Sequence, residues 1–212
     1  MCPSTPGPVS RASQSDAPAA KRALRTRIAN ARISDPQRAL ADAARLARAL
    51  EACAGHRVLA CYASTAPEPD TLALIEALAD AGARVLLPVL RSAREPAWAW
   101  YQGPDSLRPG WRGIPQPRGP VLPAPALAEA TFVWVSALAV TPAGVRLGTG
   151  GGWYDRALTH ASPRATLGTL VGDDEVVAAL PAEPWDIPVD LVVTPTRTLT
   201  TTARRPASAP PE

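Results

Sequence analysis

The stretch from residue 57 to residue 88, RVLACYASTAPEPDTLALIEALADAGARVLLP, decides the fold. Residues 57–62 and 84–88 are short apolar runs of the kind that forms buried strands. Between them, residues 72–81 have the composition of a helix that ends at Gly82. A strand–helix–strand unit of this length predicts two parallel strands joined by a right-handed crossover.

Two helices are predicted before this unit. Residues 19–32 are rich in helix formers, and Leu24 and Ile28, four apart, mark an apolar stripe. A second helix is predicted to follow Ser34-Asp35-Pro36, which places a capping residue before a proline in the first turn, and to run to about Cys53.

Strands and helices continue to alternate after this unit, which predicts an α/β layered fold. The elements expected there are strands over residues 97–101, 132–135, 166–171 and 190–194, a helix over residues 153–159, a short helix over residues 174–180 and a long ordered loop over residues 103–126.

The length of 212 residues suits a single domain, which we expect over residues 18–199. Residues 1–17 and 200–212 are rich in Pro, Ser, Thr and Ala and are predicted to be disordered tails. No run approaches the roughly 18 apolar residues of a membrane span, and no signal peptide is recognisable. We therefore expect a cytoplasmic protein with no membrane partner.

The charge of the chain is mildly basic, with a net charge of +3 and a pI near 9.0. This balance fits nucleic acid or anionic small ligands equally well. The arginines are scattered, with no run of five or six basic residues, so a solvated basic surface is the simpler interpretation. Three cysteines without metal-knuckle or redox spacing fit a reducing compartment.

The segment from residue 146 to residue 156, RLGTGGGWYDR, is the most informative for function. Four of its first seven residues are glycine, which lets backbone N–H groups converge without obstruction by Cβ atoms. Such a loop before a helix is typical of a phosphate cradle, to which Arg146 would add a charged contact. It has no Gly-Lys-Ser/Thr of a Walker A motif, and Trp153 stands where a Rossmann loop needs Gly or Ala. A mobile turn is the alternative.

Four further residues, in three places along the chain, have two interpretations each. Asp155 would hold magnesium beside a phosphate cradle, or cap the helix. Lys21 and Arg25, on one helix face, suit a polyphosphate or an ordinary solvated surface. Glu68 follows a strand, at the edge where α/β sheets bind ligands, and flanking prolines stiffen its loop; alternatively it is an exposed loop residue.

Taken together, these segments resemble the 5-formyltetrahydrofolate cyclo-ligases, also called methenyltetrahydrofolate synthetases. Residues 144–156 are similar to the glycine signature of that family, and Lys21-Arg22-Ala23-Leu24-Arg25 is similar to its N-terminal Lys-x-x-Leu-Arg. The resemblance extends over residues 20–197. Its other matching segments are Tyr62, Glu68-Pro69-Asp70-Thr71, residues 111–117, residues 185–190 and Val192-Val193-Thr194.

The resemblance implies a three-layer α/β sandwich with a mainly parallel sheet and a helical N-terminus. It implies ATP-dependent cyclisation of 5-formyltetrahydrofolate to 5,10-methenyltetrahydrofolate, with release of ADP and phosphate, through a phosphorylated formyl group (an iminium phosphate). The implied substrates are a reduced folate and ATP, the implied cofactor is Mg²⁺, and a monomer that binds no nucleic acid is expected.

The resemblance also implies roles for individual residues. Arg146 and Tyr154 would be catalytic, and Asp155 and Asp190 would hold magnesium. ATP would be bound by Lys21, Arg22, Ala23, Leu24, Arg25, Arg146, Leu147, Gly148, Thr149, Gly150, Gly151, Gly152, Trp153 and Tyr154. The folate would be bound by Ala63, Glu68, Trp111, Thr149, Gly150, Gly151, Gly152 and Trp153.

The chain departs from the family pattern at a few positions. Val140-Thr141 stands where the family often has Phe-Asp, and Ser136 where it often has Pro. Trp153 and Trp185 replace a frequent Tyr or Phe and a frequent His. Trp153 keeps an aromatic surface, whereas Thr141 removes a carboxylate and any role assigned to it.

Two other functions are compatible with the residues. One is a non-catalytic nucleic-acid or regulatory module that keeps a nucleotide-binding loop, as the basic pI would suit; the absence of clustered lysines counts against it. The other is a different phosphoryl-transfer enzyme on the same scaffold, against which the matches at Glu68 and Trp111 count.

Overall fold

The computed structural model describes residues 17–90 and 95–202. Its helices are α1 (Ala17–Ile33), α2 (Arg38–Ala52), α3 (Leu72–Asp80) and α4 (Trp153–Ala157). Its strands are β1 (Val58–Ala60), β2 (Arg84–Pro88), β3 (Ala97–Trp100), β4 (Leu107–Pro109), β5 (Pro115–Pro117), β6 (Leu122–Pro123), β7 (Phe132–Val135), β8 (Ala139–Val140), β9 (Arg146–Leu147), β10 (Thr166–Leu170), β11 (Leu191–Val193) and β12 (Thr198–Thr200). Short 3-10 helices lie at Pro104–Ser106, Trp111–Gly113, Ala124–Glu129, Leu158–His160 and Asp173–Glu175.

The strand–helix–strand unit forms as predicted, because β1 and β2 pair in parallel with Leu59 opposite Val85. The intervening helix α3 begins where the Asp70 carboxylate accepts the Leu72 N–H at 2.8 Å. It ends at Asp80, and the chain turns away at Gly82, whose φ of +83° is a left-handed conformation that glycine adopts without a Cβ clash.

Eight strands form the main sheet in the order β12-β11-β10-β7-β1-β2-β3-β6. The five strands from β11 to β2 pair in parallel, and β12, β3 and β6 add antiparallel edges. The chain passes from β1 to β2 on one side and later returns to β7 on the other side of β1. Open α/β sheets bind ligands outside the carboxyl ends of their strands at such a reversal point.

The two faces of the sheet bury different side chains, because successive residues of a strand point to opposite sides. Leu59 and Trp134 pack on the face covered by α2 and α3. Ala60, Val133 and Val135 pack on the opposite face, with residues of α4 and of the 3-10 helix at Ala124–Glu129. The structure is therefore a three-layer α/β sandwich with a mainly parallel sheet and N-terminal helices, as the resemblance implied.

Helix α1 lies on the β8–β9 ribbon through the predicted apolar stripe. Ile28 is buried with Ala139 and Leu147, and Leu24 packs against them. This contact brings the N-terminal helix to the start of the glycine-rich segment.

Two of the predicted elements were wrong. Residues 174–180 do not form a helix: only Asp173–Glu175 makes a 3-10 turn, and the Val177 N–H then donates to the Val140 carbonyl at 2.9 Å as Val176 bridges that residue. Residues 103–126 are not a continuous loop, because they contain the β4–β5 hairpin and the edge strand β6.

Regular secondary structure reaches one residue into each predicted tail, at Ala17 and at Thr200. Thr200 is the final residue of β12, and the Thr201 hydroxyl donates to the Val189 carbonyl at 2.6 Å. Most of the two predicted disordered tails, residues 1–16 and 203–212, lies outside the described residues. Within the described ranges, no helix combines the length and apolar character needed to cross a membrane.

Gly168 on β10 offers a test of the aromatic core. A Cβ atom on this residue would lie 2.8 Å from Trp134 Cζ3 and 2.9 Å from Phe132 Cε1. We expect Gly168→Ala to lower the free energy of unfolding by about 1–3 kcal/mol, because the two rings must shift. Gly119→Ala, whose Cβ would meet only ordinary contacts at 3.6 Å, is the control and should change it by less than about 0.5 kcal/mol. Urea unfolding followed by circular dichroism measures both, and equal stability of the two variants would contradict the packing described.

Candidate active site

Helix α1 places a cation directly against the glycine-rich loop. Arg25 Nε donates to the Gly148 carbonyl at 2.9 Å. A Cβ atom on Gly150 would lie 3.4 Å from Arg25 Cζ, and the φ of Gly150 is +100°. The backbone conformation therefore suits glycine at position 150, and Arg25 lies in van der Waals contact with it.

The glycine loop presents backbone donors that the protein does not use. In the part of the chain that the structure describes, the N–H groups of Thr149, Gly150 and Gly151 donate to no protein acceptor. All three residues are exposed. The helix that follows, α4, has only five residues and begins after Gly152 in the left-handed conformation. Any affinity for anions therefore comes chiefly from the loop backbone and its arginines rather than from a helix dipole.

Arg146 lies on β9 at the other side of this loop. Its guanidinium donates to the Asp155 carboxylate and to the Ile187 carbonyl. The Arg146 side chain is 5% exposed and that of Asp155 is 31% exposed. The pair thus ties the two ends of the loop together and leaves Asp155 open to solvent on one side.

The two aromatic residues after the loop are turned inward. Trp153 packs edge to face on Trp98 and Tyr154, with ring centroids 5.2 Å and 5.0 Å away. The Tyr154 hydroxyl is buried, and among the described residues it has no hydrogen-bond partner. Burial, with the nearby Cys61 and the charge of Glu68, raises the pKa of Tyr154 well above its usual range, although Arg146 opposes the shift. Tyr154 is therefore neutral at physiological pH.

Glu68 lies in the loop after β1, at the reversal point of the sheet. Its Oε2 accepts the Thr65 N–H at 2.9 Å. Its other carboxylate oxygen has no hydrogen bond to any of the residues described. Beside it lies a cavity of about 350 Å³, which Arg32, Arg38, Asp42, Glu68 and Glu175 help to line.

A buried ion pair holds the C-terminal end of α1 near this cavity. Arg32 donates to both oxygens of Glu175, at 2.6 Å and 2.8 Å, and to the Ala137 carbonyl at 3.0 Å. Burial by itself lowers the pKa of Arg32, but the hydrogen bond and charge of Glu175 outweigh it and raise the pKa. Glu175 Oε2 also accepts the Gly172 N–H at 2.6 Å, so both carboxylate oxygens and the Nε and Nη2 of Arg32 have partners.

The remaining predicted ATP-binding residues of α1 differ in placement. Lys21 pairs with Glu183 at 3.8 Å, and Leu24 packs inward beside Ile28. Arg22 and Ala23 are exposed. Of the five residues predicted on this helix, Arg25 alone has a hydrogen bond to the glycine loop in the described structure.

The predicted folate residues are also spread. Ala63 is buried at the end of β1, in the core on the α3 side. Trp111 is 55% exposed on the turn between β4 and β5, with the Arg112 guanidinium 4.4 Å from its ring centroid. No hydrogen bond, ion pair or ring contact within the described residues joins Trp111 to the glycine loop.

The two predicted magnesium ligands lie in different settings. Asp155 pairs with Arg146 beside the glycine loop. Asp190 precedes β11 and accepts the Leu167 N–H at 2.8 Å, at the amino ends of β10 and β11. No group of three or more His, Cys, Asp or Glu side chains in residues 17–90 and 95–202 is arranged to hold a metal ion. Thr141, where the family often has Asp, accepts the Val145 N–H at 3.2 Å and closes the turn before β9.

Comparison with known proteins decides the family. The model of the 5-formyltetrahydrofolate cyclo-ligase family matches residues 17–195. The chain belongs to this family. A 5-formyltetrahydrofolate cyclo-ligase of Mycolicibacterium smegmatis is 42% identical over 146 residues, which cover 66% of this chain and 75% of the relative. The Escherichia coli K12 protein of the same name is 36% identical over 142 residues, which cover 66% of this chain and 78% of that protein.

Solved structures agree on the cyclo-ligase fold. A 5,10-methenyltetrahydrofolate synthetase of Aquifex aeolicus superposes with a TM-score of 0.73 at 24% identity, covering 89% of this chain and 96% of its own. A synthetase of Mycoplasma pneumoniae superposes with a TM-score of 0.65 at 18% identity, covering 82% and 98%. At these identities the likeness concerns the fold alone.

Arg32 and Glu175 were missed in reasoning from the sequence of this cyclo-ligase family member. Arg32 continues the stripe of Lys21, Arg25 and Ile28 on α1 at spacings of four, three and four, which is the signal that marks it. Nothing in the local sequence marks Glu175 as its partner, because the two are separated by 143 residues.

The Arg32–Glu175 pair can be tested against an exposed pair in the same protein. Glu175→Gln leaves the Arg32 charge buried without its counter-ion, so we expect a loss of about 3–5 kcal/mol in the free energy of unfolding. The control is Glu129→Gln, since Glu129 pairs with Arg84 at 3.9 Å and the two side chains are 52% and 59% exposed. It should cost less than about 1 kcal/mol. Chemical denaturation compares them, and similar losses in both variants would refute the importance of the buried pair.

Proposed function

We propose that this protein catalyses the ATP-dependent cyclisation of 5-formyltetrahydrofolate to 5,10-methenyltetrahydrofolate. Membership of the family supports the reaction class. The observation that supports it most within the molecule is the glycine loop, which Arg25 contacts at Gly148 and whose Thr149, Gly150 and Gly151 N–H groups donate to no protein acceptor among the described residues. The charge of Glu68 also raises the pKa of Tyr154, in the helix after this loop, so a folate held at Glu68 would lie near a nucleotide held at the loop.

The glycine loop is the proposed seat of the nucleotide's phosphates. The unused N–H groups of Thr149, Gly150 and Gly151 are donors without Cβ obstruction at the two glycines, and Arg25 and Arg146 flank them. Fixed donors and cations of this kind stabilise the charge that shifts between oxygens during phosphoryl transfer.

In the proposed chemistry, phosphorylation converts the formyl oxygen, which is a poor leaving group, into phosphate, which is a good one. The formyl oxygen attacks the γ-phosphorus of ATP, the bond from phosphorus to the bridging oxygen breaks, and ADP leaves. The N10 amine attacks the carbon of the resulting iminium phosphate, that carbon's bond to oxygen breaks with both electrons going to phosphate, and N10 loses its proton. The protein's own part is to position the two substrates and neutralise charge, with Arg146 and Tyr154 as the proposed catalytic residues.

The residues near the loop fit a magnesium ion bound largely through phosphate oxygens. Mg²⁺ is usually held by one or two carboxylates together with substrate phosphates, and Asp155, 31% exposed beside the loop, is such a carboxylate. The bound ion would neutralise phosphate charge. Asp190, whose Oδ2 accepts a backbone N–H, is the weaker of the two proposed ligands.

The folate end of the proposed site is built around Glu68. Its unengaged carboxylate oxygen is an acceptor suited to the N–H groups of a pterin. Ala63, Thr149, Trp153 and Trp111 are the further proposed contacts, and Trp111 is exposed enough to offer its ring face to a ligand.

The proposed activity has a direct spectroscopic test. Purified protein mixed with 5-formyltetrahydrofolate, ATP and Mg²⁺ should generate the near-ultraviolet absorbance of the methenyl product, with one ADP formed per turnover. The signal should need both ATP and Mg²⁺. Folded protein that produces no ATP-dependent absorbance change would refute the proposal.

Arg25 can be tested against Arg27, an exposed arginine on the same helix. Arg25→Met removes a charge-assisted contact worth about 1.5–3 kcal/mol, so the KM for ATP should rise about 10- to 100-fold. Arg27→Met should leave the KM for ATP unchanged. Steady-state kinetics at saturating folate measure both variants, and an unchanged KM in Arg25→Met would remove Arg25 from the proposed nucleotide site.

A further inference from the structure

The loop that carries Glu68, residues 65–70, is hydrogen-bonded to the rest of the protein through one helix, α2. Within the described residues, only two hydrogen bonds join residues 65–70 to anything beyond residues 64–72. Arg38 Nη2 donates to the Glu68 carbonyl at 2.5 Å, and Asp42 Oδ1 accepts the Asp70 N–H at 3.2 Å. Both side chains come from successive turns of α2.

The composition of this loop explains why it needs an outside anchor. Pro67 and Pro69 have no N–H, so half of the four consecutive residues 67–70 donate no backbone hydrogen bond. The Glu68 N–H is spent inside the loop, on the Thr65 carbonyl at 2.8 Å. The backbone carbonyl of Glu68 and the N–H of Asp70 are therefore the groups through which the loop is hydrogen-bonded to the rest of the protein, and side chains of α2 bond to both.

The α2 side chains are themselves fixed from the core. Asp42 pairs with Arg45 at 2.5 Å as well as with Arg38 at 3.5 Å. Arg45 is only 7% exposed, and its Nε donates to the Val171 carbonyl at 3.2 Å, at the end of β10. A chain of contacts thus runs from the end of β10 through Arg45 and Asp42 to Arg38 and the Glu68 backbone.

The side chain of Glu68 is held by the backbone of Thr65. Glu68 Oε2 accepts the Thr65 N–H at 2.9 Å, which leaves the other carboxylate oxygen as the one available to a ligand. Arg38 acts on the main chain of Glu68 and not on its carboxylate, so it leaves that oxygen free while setting the position from which the side chain extends. Asp42, by its ion pair with Arg38 at 3.5 Å, limits the rotamers that Arg38 can adopt.

We infer that Arg38, held by Asp42, is a positioning residue that orients Glu68 for binding of the reduced folate. The inference rests on the proposed function. Loss of Arg38 removes one of the loop's two hydrogen bonds to α2, the one at Glu68 itself, so the Glu68 carboxylate must be ordered again each time a ligand binds. The cost falls on folate binding and not on the nucleotide, whose proposed loop has no contact with Arg38 in the described structure.

The test compares Arg38→Met with Arg48→Met. Arg48 lies on the same helix and also donates through Nη2 to one loop carbonyl, that of Thr196 at 2.9 Å, far from Glu68 in sequence. Calorimetric titration with 5-formyltetrahydrofolate in the absence of ATP gives the dissociation constant for the folate. Steady-state kinetics give the KM for each substrate and kcat, and circular dichroism establishes that both variants are folded.

We expect Arg38→Met to weaken folate binding and raise the KM for folate about tenfold, with the KM for ATP and kcat within about twofold of their original values. Arg38→Lys, which keeps one donor for the Glu68 carbonyl, should restore part of the loss. Arg48→Met should change none of these constants. Unchanged folate binding in Arg38→Met, or equal increases in the KM for folate and for ATP, would overturn the inference.

A double-mutant cycle separates action through Glu68 from a general effect on the fold. If Arg38 acts by orienting Glu68, then adding Arg38→Met to Glu68→Ala should cause little further loss of folate binding, so the two effects are not additive. If the fold-losses in folate affinity of the two single variants multiply in the double variant, Arg38 acts independently of Glu68 and the inference is overturned. If the original protein binds no 5-formyltetrahydrofolate, the proposed function fails with it; if it binds and Arg38→Met binds equally well, only the role of Arg38 fails.

Discussion

The buried ion pair between Arg32 and Glu175 is the contact on which the arrangement of the site depends. The two side chains are 9% and 6% exposed, so both charges are largely withdrawn from water. Two ions are stable away from water only where further hydrogen bonds complete their surroundings. The Ala137 carbonyl after β7 and the Gly172 N–H after β10 provide them. The C-terminal end of α1 is thereby fixed at the carboxyl ends of two central strands.

This fixed end determines where the rest of α1 lies. Arg25 precedes Arg32 by seven residues, two turns or about 10 Å along the axis, and so lies on the same face. Leu24, beside Arg25, and Ile28, between the two arginines, pack on the β8–β9 ribbon. Because α1 is held at Arg32 and along its apolar stripe, Arg25 lies within hydrogen-bond distance of the Gly148 carbonyl.

The sequence predicted those elements in which local pattern and tertiary role agree. The apolar runs of β1 and β2 and the helix between them are such a case, and so is the stripe of α1. Residues 174–180 show where the agreement fails. Their composition favours a helix, but the backbone at Val176 and Val177 pairs with Val140, and Val177 packs toward α1. Tertiary pairing thus outweighed a weak local preference.

The site was predictable only as separate pieces. The glycine loop is marked by its own residues, because glycine spacing is a local property. The contacts that assemble the site join residues far apart, such as Arg25 with Gly148 and Arg32 with Glu175, and no local pattern encodes such pairs. The anchoring of Glu68 by Arg38 spans only 30 residues, yet it is equally hidden, because the acceptor is a backbone carbonyl that every residue possesses.

The two halves of the site are held by opposite means. The Glu68 loop has prolines, internal hydrogen bonds and two anchors from α2, so its shape exists before any ligand binds. The glycine loop is fixed at its ends by Arg146 with Asp155 and by Arg25, and its middle keeps three backbone donors unspent. A rigid half suits recognition of one ligand shape, since the ordering entropy is already spent. An under-bonded half suits an anion that supplies the missing acceptors itself. This division of hydrogen bonds between the loops fits the proposed ligands, a flat heterocycle at Glu68 and a chain of phosphates at the glycine loop.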